Sequence, residues 1–384
     1  MLIAEVRLRN FRNHADTLLD FGQGINVLLG RNGQGKTNIL EAISYLSLTK
    51  SFYASSDATA VRFGTDAFTV EGEIVAGSGV RYTVQVAYGV SGGEKVFTVN
   101  NTRPESLASV IGTFPVVILS PENNAITFGG PSARRRFMDL TLSQVSRVYL
   151  DDVLEYRRIL RQRNRLLSDA RSSGGNIASM LEPWTIGLVQ YGSRVVKRRQ
   201  EFVKEFEGYI ERSYKTLVES GEEPGIEYGS VGSLQPGMAV EEISQQMASE
   251  LKARAGEEIR RGSTLVGPHR DELRLSINGA ALQQYASQGQ HKTFLVALKT
   301  AEFFYLQERR GEAPLFLLDD LFSELDEGRS RRILDLISSL GQTIITTTGE
   351  RVLEDTAGWN DHLRRFIVEN GTSRAVKIIK QESA

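Results

Sequence analysis

The stretch Gly30-Arg31-Asn32-Gly33-Gln34-Gly35-Lys36-Thr37 constrains this chain more than any other. It fits the spacing G-x-x-x-x-G-K-[ST] of a phosphate loop. The short apolar run GINVLLG leads into it, and TNILEAISYLSL, residues 37–48, continues with helical spacing. A strand, a glycine loop and a helix start thus follow one another. The glycines let backbone N–H groups turn inward around phosphate oxygens, and the helix N-terminus adds partial positive charge. Lys36 supplies a mobile charge for the β- and γ-phosphates, and Thr37 a hydroxyl for Mg²⁺.

A second apolar run, Leu315-Phe316-Leu317-Leu318, ends in Asp319 and Asp320. Acids at the C-terminal end of a buried strand lie at the crevice where α/β sheets bind ligands. The spacing predicts that Asp319 holds Mg²⁺, through water, and that Asp320 polarises the attacking water.

Elsewhere the patterns change along the chain. Leu2, Ala4, Val6 and Leu8 alternate with Ile3, Glu5, Arg7 and Arg9 as in a half-buried strand. Residues 66–102 alternate with period two between turn-rich segments and predict an antiparallel meander. PVVILS at 115–120 reads as another strand. From Phe137 to about Tyr214 the apolar spacing is helical, broken by RSSGGN at 171–176, which predicts a helical hairpin. Residues 220–237 read as a linker or surface loop. Strand patterns return after about 262, with Asn278-Gly279 and Asn370-Gly371 as hairpin turns. This order predicts an α/β domain built from 1–120 and 262–384, its antiparallel part at about 60–102, interrupted by a helical insertion over 121–261.

Composition sets limits. The 384 residues are 40% hydrophobic and 24% charged, as in ordinary globular domains, and contain no cysteine. Disulfides and thiolate metal sites are excluded. The histidines, His14, His269, His291 and His362, do not cluster in sequence, which argues against zinc. No run of ~20 apolar residues is present and the N-terminus lacks a signal-peptide pattern, so a soluble, cytoplasmic protein is expected.

A second helix start competes for attention. Ser287-Gln288-Gly289-Gln290 opens an apolar-periodic helix. Ser followed three residues later by Gln is a capping box, which needs no ligand. Yet the turn lies between a hairpin and the Asp319-Asp320 strand, Gly289 permits close backbone approach, and an acidic loop, Ser323-Glu324-Leu325-Asp326, follows that strand.

Together these motifs resemble the ATP-binding-cassette superfamily, in the branch of structural-maintenance-of-chromosomes (SMC) and Rad-fifty-type repair ATPases. LRNFRNH, GRNGQGKTN, PSARRRFMD, GPHRDE, YASQGQHKT and LLDDLFSELD narrow the resemblance, over essentially the whole chain, to a family of bacterial recombination mediators. The resemblance implies an α/β ABC-type P-loop ATPase head with a mixed sheet, an antiparallel β subdomain and an inserted helical domain. It implies ATP and Mg²⁺ as ligands and an ATP-dependent homodimer that acts on DNA, duplex or single-stranded, at single-strand gaps. RecR, with RecO and RecA less directly, are the implied partners. By the same resemblance Arg12 and Asn13 match a nucleotide-contacting loop. Ser287 and Gly289 match the signature that reads the other subunit's γ-phosphate, and Asp326 matches a loop crossing the dimer seam. Two departures appear. Asp320 stands where such ATPases usually place glutamate, and no histidine follows TIITTT, so Thr347 or Thr348 would stand in. Both imply slow hydrolysis. Glu122 is a weak match for the usual linking glutamine.

Charge is uneven. Residues 131–215 carry a net +7 and the remainder −8. Arg134, Arg135, Arg136, Arg157, Arg158, Arg161, Arg198 and Arg199, with Arg165, form a candidate DNA-phosphate surface. Such contacts are salt-sensitive and carry no base specificity. A solvated charged face, or for Ala133-Arg134-Arg135-Arg136 a place in the nucleotide seam, would account for the same residues. Three other classes share parts of the pattern: a transporter's nucleotide-binding subunit, a small-molecule P-loop kinase, and a non-enzymatic binding protein with a relict phosphate loop. The arginine-rich hairpin argues against the first. The signature turn argues against the second, and intact Lys36, Thr37 and Asp319 against the third.

Overall fold

Ile3, Val6, Leu8 and Phe11 are the fully buried residues of β1 (Leu2–Phe11). Between Ile3 and Val6 the alternation changes phase because the register against β4 shifts between Ile3 and Glu5, a bulge that turns Ile3 to the same side as Val6 and Leu8. The computed structural model describes residues 1–173, 178–218, 221–230, 234–235, 237–324, 327–349 and 363–376. The chain divides into two units, 1–124 with 212–220 and 292–384, and 125–211 with 221–291.

The first unit has two sheets. One is antiparallel, in the order β2-β1-β4-β5-β6, with β2 (His14–Asp20), β4 (Ala67–Val75), β5 (Arg81–Gly89) and β6 (Glu94–Val99). The last three strands are the expected meander. β2 was not expected from the sequence. The other sheet runs β14-β13-β3-β12-β11-β7. It comprises β3 (Ile25–Leu29), β7 (Val116–Leu119), β11 (Leu315–Asp319), β12 (Thr343–Thr347), β13 (Leu363–Glu369) and β14 (Thr372–Val376). All neighbours are parallel except β13 and β14. Asn370 and Gly371, at φ 50° and 72°, join that last pair, as two-residue hairpin turns require. Parallel strands are covered on both faces and so read as continuous apolar runs. α1 (Lys36–Leu48) packs against strands of both sheets, and Ile39, Leu40, Ile43 and Leu46 are wholly buried. α8 (Gln288–Arg310) enters this unit at Lys292, where Phe294 meets Tyr214, and α9 (Glu327–Ser338) completes it.

The second unit contains α2 (Asn124–Thr127), α3 (Pro131–Val145), α4 (Arg147–Ser173), most of α5 (Ala178–Leu217), α6 (Val240–Arg261) and α7 (Leu282–Tyr285). The helical pattern expected from Phe137 onward breaks at Ser146, which adopts φ −130°, ψ 114°. Its N–H still reaches Leu142 O, while its Oγ accepts from Tyr149 N, so it ends α3 and caps α4. Residues 220–237 are not merely a linker. They contain β8 (Pro224–Gly229), antiparallel to β9 (Glu272–Ile277), which turns through Asn278-Gly279 into β10 (Ala280–Ala281). β8 and α6 tie residues 262–291 to the helical segment, so the units do not divide at 121 and 261. Tyr156, Ile159, Leu188, Val196, Met247 and Leu251 form the core.

Candidate functional site

The phosphate loop lies where the sequence places it, between β3 and α1. Gly33 and Gly35 take φ 80° and 109°, a region that disfavours any side chain. Lys36 is buried, and its Nζ donates to Gly30 O at 2.7 Å and Arg31 O at 3.0 Å. Burial depresses the Lys36 pKa, against the pull of Asp320 and Asp319. Arg31 and Asn32 stand exposed at the mouth of the loop.

Asp319 ends β11 and is 6% exposed. Thr37 Oγ1 donates to its Oδ1 at 2.9 Å, and Thr346 Oγ1 donates to the same oxygen at 2.7 Å. Burial raises the Asp319 pKa. The two hydroxyls oppose the rise, and the charges of Glu122 and Asp320 add to it. Asp320 sits at φ 47° with its N–H on Thr346 Oγ1 at 2.9 Å. Lys36, Thr37, Asp319, Asp320 and Thr346 line one cleft of about 160 Å³. A buried carboxylate beside a hydroxyl is a hard-oxygen donor set, which fits Mg²⁺. Sequence reasoning missed Thr346. Thr347 is buried and bonded to Gly349, and Thr348 is exposed. It is Thr346 that stands opposite Asp319 in the parallel β11–β12 register.

The N-terminal turn lies beside the loop. Asn13 Nδ2 donates to Gln34 O at 3.0 Å and its Oδ1 accepts from Asn38 Nδ2 at 2.8 Å. Arg12 is engaged elsewhere. Its guanidinium forks onto Glu41 at 2.7 and 2.8 Å, and its third nitrogen donates to Thr59 O at 2.7 Å. Glu122 is exposed on the 3₁₀ turn after β7.

In the second unit the turn before α8 forms the expected capping box. Gln290 N donates to Ser287 Oγ at 3.2 Å, and Gln290 Oε1 accepts from Ser287 N at 2.8 Å. Ser287 is nonetheless exposed, as is Tyr285 at 74%, and Gly289 is half-buried. His291, one turn into α8, stacks on Phe128 with ring centroids 3.7 Å apart. Asp326 lies outside the described residues.

The arginines divide. Two of those expected on a DNA-facing surface are interior. Arg134 is 5% exposed and bonds Glu272, Ile126 O and Gly129 O. Arg199 is 3% exposed and bonds Asp139 at 2.7 Å and Pro268 O at 2.7 Å. Arg199 neutralises the buried Asp139 and Arg134 binds carbonyls just before its own helix, so both are interior, which corrects the expectation for these two. Arg135 is half-buried on Asp271 O, and burial lowers its pKa. Arg157, half-exposed, pairs with Asp139, Arg158 with Glu155, and Arg198 with Glu201. Arg136, Arg161 and Arg165 are exposed.

The fold and this site define the class: an ABC-type ATPase head of the SMC kind. Residues 2–374 match the family described as the RecF/RecN/SMC N-terminal domain. The DNA replication and repair protein RecF of Salinibacter ruber is 44% identical over 351 residues, 91% of this chain and 85% of that protein. That of Chloroherpeton thalassium is 42% identical, covering 91% and 95%. Among solved structures, the recombination mediator RecF-ATPrS of the RecFOR pathway superposes with TM-score 0.90 at 31% identity, over 98% of both chains. The RecF-ATP form gives 0.88 at 32%, over 98% of this chain and 97% of that one. An SMC head bound to the C-winged helix domain of ScpA shares the fold, with TM-score 0.56 at 14% identity over 100% and 99%. The chain belongs to the RecF/RecN/SMC family and, within it, to the RecF proteins.

Proposed function

We propose that this protein is a recombination mediator of DNA replication and repair, an ATPase whose ATP-bound homodimer clamps DNA at single-strand gaps. The carrying observation is the assembled phosphate site, with Thr37 and Thr346 both on Asp319 behind the loop. ATP-bound relatives of the same fold support the same reading. Gly30 to Thr37 hold the phosphates. Thr37 and Asp319 hold Mg²⁺, which when bound neutralises charge on the β- and γ-phosphates. Asp320, held in place through its N–H, orients the attacking water. Its carboxylate is one methylene shorter than glutamate, which makes hydrolysis slow and suits a timed clamp.

Ser287 and Gly289 read the γ-phosphate bound by a second copy, and Asp326 crosses the same seam. Asn13 steadies the loop from outside. Exposed arginines of α3 and α4, Arg136, Arg161 and Arg165 foremost, grip DNA phosphates. RecR is the direct protein partner, with RecO and RecA downstream, in the cytoplasm. No helix among the described residues is long and apolar enough to cross a membrane.

Oligomeric mass and DNA binding, measured with and without ATP at low salt, test the cycle. Wild type should dimerise on ATP and bind DNA more tightly. Lys36→Met should lose both responses, and Ser287→Arg should bind ATP but stay monomeric. A Ser287→Arg protein that dimerises and hydrolyses ATP normally would reduce that turn to a helix cap and remove the clamp.

A further inference from the structure

The phosphate loop has one open face and one sealed face. At Gly33 an added Cβ would meet nothing within 4 Å. At Gly30 it would lie 2.3 Å from Val368 O, and at Gly35 2.6 Å from Asn13 Oδ1. The sealing groups come from the Arg12-Asn13-His14 turn and from the C-terminal hairpin, Val368 on β13 and the Asn370-Gly371 turn that follows it. These turns also meet each other. A Cβ on Gly371 would lie 2.2 Å from Asn13 O, at a backbone φ of 72°.

The seal answers a requirement of the loop itself. Where successive N–H groups converge on an anion, the carbonyls of the same peptides face away and need donors of their own. Gln34 O accepts from Gly371 N at 3.0 Å and from Asn13 Nδ2 at 3.0 Å. Gly35 O accepts from His14 Nε2 at 3.1 Å. The Gln34 side chain makes the link reciprocal, since its Oε1 accepts from Asn370 N at 2.7 Å.

We infer that Gln34 is a positioning residue which latches the phosphate loop to the C-terminal hairpin, and that this hairpin is a working part of the nucleotide site. The inference rests on the ATP-binding reading above. A loop held in its anion-binding shape before ATP arrives loses less conformational freedom on binding. Removing the latch therefore weakens ATP while the loop's backbone N–H groups, Lys36 and Thr37 stay chemically unchanged.

Gln34→Met keeps the length of the side chain and removes the acceptor. One hydrogen bond of this kind is worth roughly threefold to tenfold in ATP affinity. The expected result is that much loss in Kd for ATP, with KM rising by the same factor, kcat falling by less, and the melting temperature of nucleotide-free protein nearly unchanged. Gly371→Ala, which drives a methyl group into Asn13 O, should weaken ATP further. ATP binding that is equal in wild type and Gln34→Met overturns the latch, as does a lower melting temperature with unchanged Kd. A wild-type chain that fails to bind ATP in the same titration overturns the nucleotide reading itself, and the latch with it.

Discussion

Replacing Thr346 with Val keeps a β-branched shape on β12 and removes one hydroxyl. That hydroxyl donates to Asp319 Oδ1 at 2.7 Å and accepts from Asp320 N at 2.9 Å, and Thr346 is 0% exposed. A hydrogen bond to a carboxylate is worth about 1.5–3 kcal/mol and a neutral one about 0.5–1.5 kcal/mol. Asp320 is also held at φ 47°, a conformation that costs a non-glycine residue roughly 1 kcal/mol. Losing the hydroxyl should cost about 2–4 kcal/mol of stability. Catalysis should suffer as well. Once its N–H is released, Asp320 relaxes out of that conformation and carries its carboxylate away from the cleft. A misplacement of about 1 Å costs on the order of 100-fold. We expect kcat to fall by roughly that factor, with ATP affinity changed less than about threefold, because Gly30 to Thr37 are untouched. Thr346→Ser restores the hydroxyl and should recover most of the activity. Steady-state ATPase assays, a nucleotide titration and a urea melt on the three proteins decide it. If Thr346→Val keeps kcat near wild type, or Thr346→Ser is as impaired as Val, Thr346 does not position Asp320.

The arginines divide into testable groups. Arg199→Met leaves Asp139 buried without its main partner and should cost about 3–5 kcal/mol in a denaturant melt. Arg161→Glu with Arg165→Glu should leave that melt unchanged and lower DNA affinity, with a shallower dependence on log salt; unchanged DNA binding would move the contact surface elsewhere. His269, held between Tyr156 Oη at 2.6 Å and Thr264 O at 3.0 Å, has its pKa pushed down by burial to about 4. The unfolded chain protonates first, at about 6.5, so stability is lost as pH falls from there to about 4, by roughly 3 kcal/mol. His269→Gln should flatten that part of the pH–stability curve, and an unaltered slope would assign it to other groups. Burial raises the Asp319 carboxyl. Mg²⁺-dependent ATP affinity should therefore fall on acidification at a higher pH than an ordinary carboxylate dictates, a shift absent from Asp319→Asn.

What could be read from the sequence was contiguous. The phosphate loop, the Asp319-Asp320 strand end and the Asn-Gly turns each lie within a few residues, and their chemistry is local. What could not be read depends on partners far away in the chain. Counting charge cannot separate a DNA-facing arginine from an interior one. Glu272, which holds Arg134, is 138 residues away, and Glu258, which holds Arg163, is 95. Register is equally remote. Nothing in the sequence marks Thr346 among its neighbouring threonines, because only the pairing of β11 with β12 sets it opposite Asp319. β2 and β8 carry weak alternation, and a neighbouring strand makes them strands.

The glycines of the phosphate loop join both cases. Their spacing predicts close approach of backbone to phosphate, and Gly33, open on one side, fits that reason. Gly30 and Gly35 answer a second demand, because Val368 O and Asn13 Oδ1 fill the space where their side chains would stand. Alanine at Gly30 would therefore act first on the hairpin behind the loop and only through it on phosphate. The motif is written in eight residues, but two of its glycines are required by chain segments that begin 17 residues before Gly30 and end more than 300 after it. That is why such a loop is readable at a glance, while the contacts that keep it in shape emerge only once both chain ends have folded onto it.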